Sequence, residues 1–252
     1  MTNFSPWDKK TMLTGASIVA DDAGGAGDWT ADVAGIAHDL RAPLSVFDGY
    51  TRMLAAGDLG PISESAQRAL TVMTGKVAEM RSLLDTLLDA IRPAEALAEP
   101  QDRPVLDLAD VAAQAVSRAE PRAKLARQRL DLVVADQAPV RADPRLLGRI
   151  LDNLINNALV HTGVGRSVTV AVQRDGRYGQ VRVQDDGPGM PADARARLFS
   201  PVPRDSSDAP PSRGSGLGLY FCRALAARVG ASLTLEPAAG RGLTFRIELP
   251  LA

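Results

Sequence analysis

His38 and Asp39 stand side by side in the segment HDLRAPL (38–44), and far downstream the chain carries two glycine-rich stretches, DDGPGM (185–190) and GSGLGL (214–219). An imidazole with an ordinary pKa of about 6.5 is largely neutral near pH 7, so one ring nitrogen has a lone pair free to attack phosphorus. A carboxylate next to it can accept from the other ring N–H, fixing the tautomer and offsetting the charge that develops. The glycine stretches suit the other half of such a reaction. Glycine lets backbone press against a flat ligand, and a strand-end carboxylate such as Asp185 can accept from an exocyclic amine like that of adenine. A glycine-opened helix after Gly214, Gly216 and Gly218 offers unpaired N–H groups and the positive end of its dipole to phosphate. Between these segments Asn153 and Asn157 lie four residues apart, on one side of a helix, and an amide oxygen is a suitable ligand for a hard divalent cation. The combination suits a nucleotide that gives up a phosphoryl group to a histidine.

The elements that must hold these residues can be read from periodicity. Val33, Ala37, Leu40, Leu44, Phe47, Thr51 and Leu54 alternate spacings of four and three, a heptad seam weakened at Thr51. GDLGP (57–61) stops that helix, and Ser63 can cap the next, with Glu64 in its first turn. In the second helix Leu70, Met73, Val77, Met80, Leu84, Leu87 and Ile91 continue the repeat unbroken. Two helices cannot enclose stripes this long, so the pattern predicts a four-helix bundle formed by two copies of the hairpin, with a monomeric hairpin packed on the downstream domain as the alternative. His38 follows a seam residue and so stands at the seam's edge, open to solvent.

Residues 1–30, with DDAGGAGD and little to bury, read as a flexible tail. Residues 31–92 form the helical hairpin, prolines at 93, 100 and 104 mark a linker over 93–104, and a second domain spans 105–252. In that domain VLDL (105–108) reads as a strand, 109–127 as a helix interrupted or ended near Pro121, RLDLVVAD (129–136) as a half-buried strand, and 144–161 as a proline-started amphipathic helix. SVTVAVQRD, YGQVRVQDD, ASLTLEPA and GLTFRIELP supply four more strands, with a helix over about 216–229. The expected class is α+β, with helices on one face of a mostly antiparallel sheet.

A net charge of −1 provides no basic field for nucleic acid. The single Cys222 excludes an intrachain disulfide framework and reads as a small core residue. No segment has the ~18 apolar residues of a membrane span, and the start lacks a secretory pattern. The expected location is cytoplasmic, with any membrane signal brought by a separate sensor partner.

The residues together resemble the sensor histidine kinases of two-component systems. HDLRAPL is similar to their phosphoacceptor box, NLINNALVHT (153–162) to the asparagine box, DDGPGM to the first glycine box, LFSPVPR (198–204) to the phenylalanine box and GSGLGL to the second glycine box. The resemblance implies a dimerising four-helix bundle followed by an α/β sandwich of the Bergerat ATP-binding type. It implies that Asp185 holds adenine, with Gly187, Gly189, Gly214, Gly216, Leu217 and Gly218 lining the nucleotide. Asn153 and Asn157 would engage phosphates and Mg2+, with Asn157 as the metal ligand, and Arg204 would reach phosphate from a lid over 200–213. His38 would take the γ-phosphoryl group from ATP, aided by Asp39, and yield it to an aspartate of a response regulator's receiver domain.

Two positions depart from the pattern. Val160 stands where the asparagine box commonly carries a cation, which predicts slow turnover. Ala42, four residues after His38, stands where relatives place a Thr or Asn that orients water for dephosphorylating the regulator, which predicts weak phosphatase activity. His161 is read as structural or nucleotide-adjacent. The alternatives are a scaffold that binds regulators without using ATP, and a related ATPase. The second needs a water-activating glutamate where this chain has Asn153, and it leaves His38 unexplained.

Overall fold

The computed structural model describes residues 29–91, 102–191, 194–195, 198–199, 217–236 and 242–252. The first two elements are the expected hairpin, α1 (Trp29–Ala56) and α2 (Glu64–Ile91). Gly57 and Gly60 turn the chain with φ of +85° and +97°, and the Ser63 hydroxyl accepts from the Ala66 N–H at 3.2 Å, capping α2 as anticipated.

The two seams divide their labour in a way periodicity alone does not reveal. Ala37, Leu44 and Thr51 of α1 and Leu70 and Val77 of α2 are buried within the hairpin. The alternate layer, Leu40, Phe47, Met73 and Met80, is about half exposed. A single hairpin thus satisfies one layer of each heptad and leaves the other open. The described helices include none long and apolar enough to cross a membrane.

Beyond the hairpin come β1 (Val105–Asp107), α3 (Leu108–Leu125), β2 (Arg129–Val134), β3 (Pro139–Arg141), α4 (Pro144–Thr162), β4 (Ser167–Asp175), β5 (Tyr178–Asp185), α5 (Leu217–Val229), β6 (Ser232–Leu235) and β7 (Thr244–Pro250). The main sheet has the order β2-β4-β5-β7-β6, with β2 parallel to β4 and the other pairs antiparallel. Two details correct the sequence reading. The helix after β1 continues through Pro121 to Leu125, and the short β3, pairing with β1, was not anticipated. Three residues with a proline at the first give too little alternation to register as a strand.

Local rules explain most of the remainder. Asp107 caps α3 by accepting from Ala109 N–H at 2.9 Å. Asp143 caps α4 by accepting from the N–H groups of Arg145 and Leu146, with Pro144 at the first position. The apolar face of α4, including Leu147, Ile150, Leu151, Leu154 and Ile155, is buried together with Val168, Val170, Val181, Val183, Phe245 and Ile247 of the sheet. Gly179 in β5 is required by packing: a Cβ there would lie 2.8 Å from Leu108 Cδ1 and 3.1 Å from Ala138 Cβ. Other sheet residues carry charge, with Arg182 paired to Glu236 at 2.9 Å. One sheet covered by helices on one face is the expected α+β sandwich.

Candidate nucleotide and phosphoacceptor sites

Asp185 ends β5 with 6% of its surface exposed. Its Oδ1 accepts from Gly187 N–H at 2.8 Å and its Oδ2 from Leu243 N–H at 3.2 Å. Burial pushes the carboxyl above its ordinary range, and the two N–H donors pull it partly back. Each oxygen keeps lone-pair capacity for a further donor. The neighbouring Asp186 is exposed and moves the other way, since the Ser167 N–H and hydroxyl donate to it at 2.9 and 3.0 Å and hold it below the usual carboxylate range.

Glycines make room around this carboxylate. A Cβ on Gly187 would stand 2.7 Å from Asp185 Oδ1 and 3.1 Å from Thr162 Cα, so the turn fits tightly against the end of α4. Gly189, at φ +78°, faces Gly242 from the far end of the chain, where a Cβ would approach the Gly242 carbonyl oxygen to 3.5 Å. Gly242 escaped the sequence reading. Its one signal was a Gly-x-Gly immediately ahead of a strand.

Asn153 and Asn157 occupy successive turns of α4, and both are half-buried. The Asn153 amide donates to Thr86 Oγ1 of α2 at 3.2 Å, and the Thr86 hydroxyl donates on to the Ser82 carbonyl at 2.6 Å. The Asn153 side chain also hydrogen-bonds Cys222, whose thiol burial pushes up to about 12. Gly218 is brought to the same place, with a Cβ there lying 3.5 Å from Asn153 Oδ1. Gly218 and the asparagine helix therefore meet, against the hairpin. Cys222 is fully buried, as expected of a core residue.

The hairpin grips α4 by charge as well. Asp89, 4% exposed, lies 2.7 Å from Arg145 Nη1 and 2.5 Å from Arg149 Nη1. Asp85 bonds Arg41 of α1 at 2.5 Å and lies 3.9 Å from Arg149. Bonding to Asp89 holds the Arg145 guanidinium above its ordinary range. Two acids four apart on α2 thus meet two arginines four apart on α4.

His38, Asp39 and Ala42 are exposed on α1, where Pro43 lies inside the helix. No hydrogen bond joins His38 to Asp39 among the described residues. Val160 is exposed near the end of α4, and His161 next to it is half-buried and engaged. Of the phenylalanine box, Leu198 is buried and Phe199 meets Phe245 edge-on at 6.4 Å between centroids, with Arg223 above its ring at 5.3 Å. Leu217 begins α5. Arg204, Gly214, Gly216 and the expected lid over 200–213 lie outside the described residues, as do the tail before residue 29 and most of the linker.

Comparisons with known proteins agree with this arrangement. Residues 33–96 match the His Kinase A (phospho-acceptor) domain, and residues 142–252 match the histidine kinase-, DNA gyrase B- and HSP90-like ATPase domain. The chain is 33% identical over 92% of its length to the signal transduction histidine-protein kinase AfsQ2 of Streptomyces coelicolor, and spans 44% of that protein. It is 32% identical over 86% of its length to the adaptive-response sensory kinase SasA of Parasynechococcus marenigrum, spanning 55% of it. Among solved structures, full-length ShkA in complex with AMPPNP matches 88% of this chain and 46% of its own at a TM-score of 0.61 and 26% identity. An exposed histidine on a helical hairpin, a buried carboxylate in a glycine cradle and an asparagine helix between them, together with the two domain matches and the curated relatives, place the chain in the family of two-component sensor histidine kinases.

Proposed function

We propose that this chain binds Mg-ATP, phosphorylates His38 on its own hairpin and passes the phosphoryl group to an aspartate of a response regulator. The observation that carries the reading is Asp185: a buried carboxylate held by two backbone donors inside a cradle of glycines, in the same chain as an exposed His-Asp pair. A purine is supported as the ligand because the carboxylate, with Gly187 packed closely against it, has acceptor capacity left for an exocyclic amine.

The donor set also fits magnesium held mainly by phosphates and water, with Asn157 as the protein ligand. The described residues contain no cluster of three or more acidic, His or Cys side chains that could hold a metal by themselves. Bound there, the ion would neutralise phosphate charge. Asn153, the N–H groups at the start of α5 and Arg204 would orient the phosphates, and Gly214, Gly216, Leu217 and Gly218 would let backbone approach them. His38 would attack in line through one ring nitrogen while Asp39 accepts from the other N–H, so that phosphorus–nitrogen bond formation accompanies departure of ADP.

The domain division follows: 31–92 as the dimerising phosphotransfer hairpin and 105–252 as the nucleotide domain, joined by 93–104. A homodimer is supported by the half-exposed layer of Leu40, Phe47, Met73 and Met80, which a second hairpin would cover. A cytoplasmic site of action completes the reading.

The test is incubation with γ-labelled ATP and magnesium. Acid-labile protein label in the wild type, lost in both His38→Gln and Asn157→Ala, is the expected result. Nucleotide binding without label in the wild type would favour the scaffold, and phosphate release without label the ATPase.

A further inference from the structure

We propose that Gly242 and the Leu243 N–H are positioning elements for base recognition: they set the Asp185 carboxylate so that it selects a purine bearing an exocyclic amine. The inference rests on the reading of Asp185 as the acceptor for that amine and goes beyond it, to a segment 57 residues downstream of Asp185.

The β5–β7 ladder brings the two together. Its last register pair is Gln184 with Thr244, so the next residues along, Asp185 and Leu243, meet where the strands end. They bond twice. The Asp185 N–H donates to the Leu243 carbonyl at 3.0 Å, and the Leu243 N–H donates back to the Asp185 side chain at 3.2 Å. The second bond fixes Oδ2, while Gly187 N–H fixes Oδ1. Held at both oxygens, the carboxylate has one side-chain orientation left.

Only glycine permits this approach. Gly242 is buried with φ +92°, a conformation L side chains rarely adopt. A Cβ there would also collide with the Asp185 carbonyl oxygen and lie 2.7 Å from its carbonyl carbon and 3.1 Å from Oδ1. The obstacle is backbone and the very carboxylate in question, so no distant rotamer can yield. Any side chain must push the 242–243 segment away from Asp185 and remove the Oδ2 donor. The carboxylate then turns, and an amine on the base loses its aligned acceptor.

The readout is the affinity ratio of ATP to inosine triphosphate, measured calorimetrically on the full chain. Inosine carries an oxo group where adenine carries the amine, while the phosphates are the same, so the ratio isolates base recognition from folding and from phosphate binding. Gly242→Ala should lower that ratio at least about tenfold, corresponding to one well-placed charge-assisted hydrogen bond, with cooperative thermal unfolding retained. Should Gly242→Ala not fold, an ester in place of the Leu243 amide, made by incorporating leucic acid, deletes the N–H without adding an atom and should lower the ratio similarly. Asp185→Asn is the control. If Asp185→Asn abolishes the preference while the ester and any folded Gly242→Ala keep the wild-type ratio, the positioning role is refuted and the role of Asp185 stands. If the wild type shows no preference, or Asp185→Asn retains it, the reading of Asp185 fails and the positioning role falls with it.

Discussion

Replacing Asp89 with alanine should loosen the grip of the hairpin on α4 by about thirtyfold. The Asp89 side chain is 4% exposed and contacts Arg145 and Arg149 at 2.7 and 2.5 Å, whereas those arginine side chains are 46% and 25% exposed. Breaking a fully buried pair on one side costs about 3–5 kcal/mol, and a surface pair is worth about 0.2–1 kcal/mol. With the acid buried and the bases partly solvated, each contact is placed at about 1 kcal/mol and the two together at about 2 kcal/mol, which is about thirtyfold in a docking equilibrium. Hydrogen exchange of the amides over 83–91 measures it, because this end of α2 packs against α4 and α5 and should exchange faster when they part. Arg149→Ala should show a smaller effect, and the double variant less than the sum of the two. Unchanged exchange in Asp89→Ala, or strictly additive effects in the Asp89/Arg149 cycle, would refute the assignment of docking energy to this cluster.

With Asp185 as the proposed adenine acceptor, its raised pKa should make ATP affinity fall on acidification before ordinary surface carboxylates protonate. On the proposed reading the ionised form accepts from adenine, so affinity measured from about pH 7 down to about pH 4 should drop in the wild type, while Asp185→Asn is weak throughout. The sign for stability is opposite. The fold favours the protonated Asp185, so its contribution is present below the unfolded pKa and is lost as pH rises through the folded one. Asp186, held low, contributes stability above the ordinary carboxylate value that is lost as pH falls below it. Cys222, with its thiol pushed up to about 12, should resist iodoacetamide at about pH 8 in the folded protein and react once urea exposes it; equal rates in both states would contradict its burial. Ala42→Thr should shorten the lifetime of a phosphorylated regulator by at least about tenfold, read by loss of label from the receiver domain, and an unchanged lifetime would refute the expectation that alanine at this position weakens dephosphorylation.

Most of the local structure around the candidate site was legible because it depends on neighbouring residues. A proline opening the helix at 144, a glycine turn after a strand and an asparagine pair at helical spacing all declare themselves within a few residues. What escaped involves partners distant in sequence. Gly242 acquires its meaning only when β7 lies beside β5. The docking of Asn153 onto Thr86 required knowing which face of α4 the hairpin covers. A signal for that docking was present in the matched spacings, Asp85 and Asp89 against Arg145 and Arg149, but acids and bases four apart are common on exposed helices and name no partner. The division of each heptad into a buried and an open layer was hidden for a related reason. Both layers belong to one unbroken three-four repeat, and only packing decides which faces the chain's own second helix.

The strand order β2-β4-β5-β7-β6 has a consequence for how the protein is made. Its penultimate position belongs to the last strand in sequence, and β6 pairs with β7 alone. Until β7 is in place, β5 has a bare edge, β6 has no neighbour and Asp185 lacks its partner at residue 243. The hairpin depends on contacts close in sequence, which form early, whereas this ladder closes a long loop, which forms late. During synthesis the helical hairpin is therefore complete while the sheet domain is still open at β5. Pulse-labelled hydrogen exchange during refolding should find 64–84 protected before 178–185. If the hairpin is the dimerising element proposed above, two nascent chains would meet before either had a closed nucleotide domain.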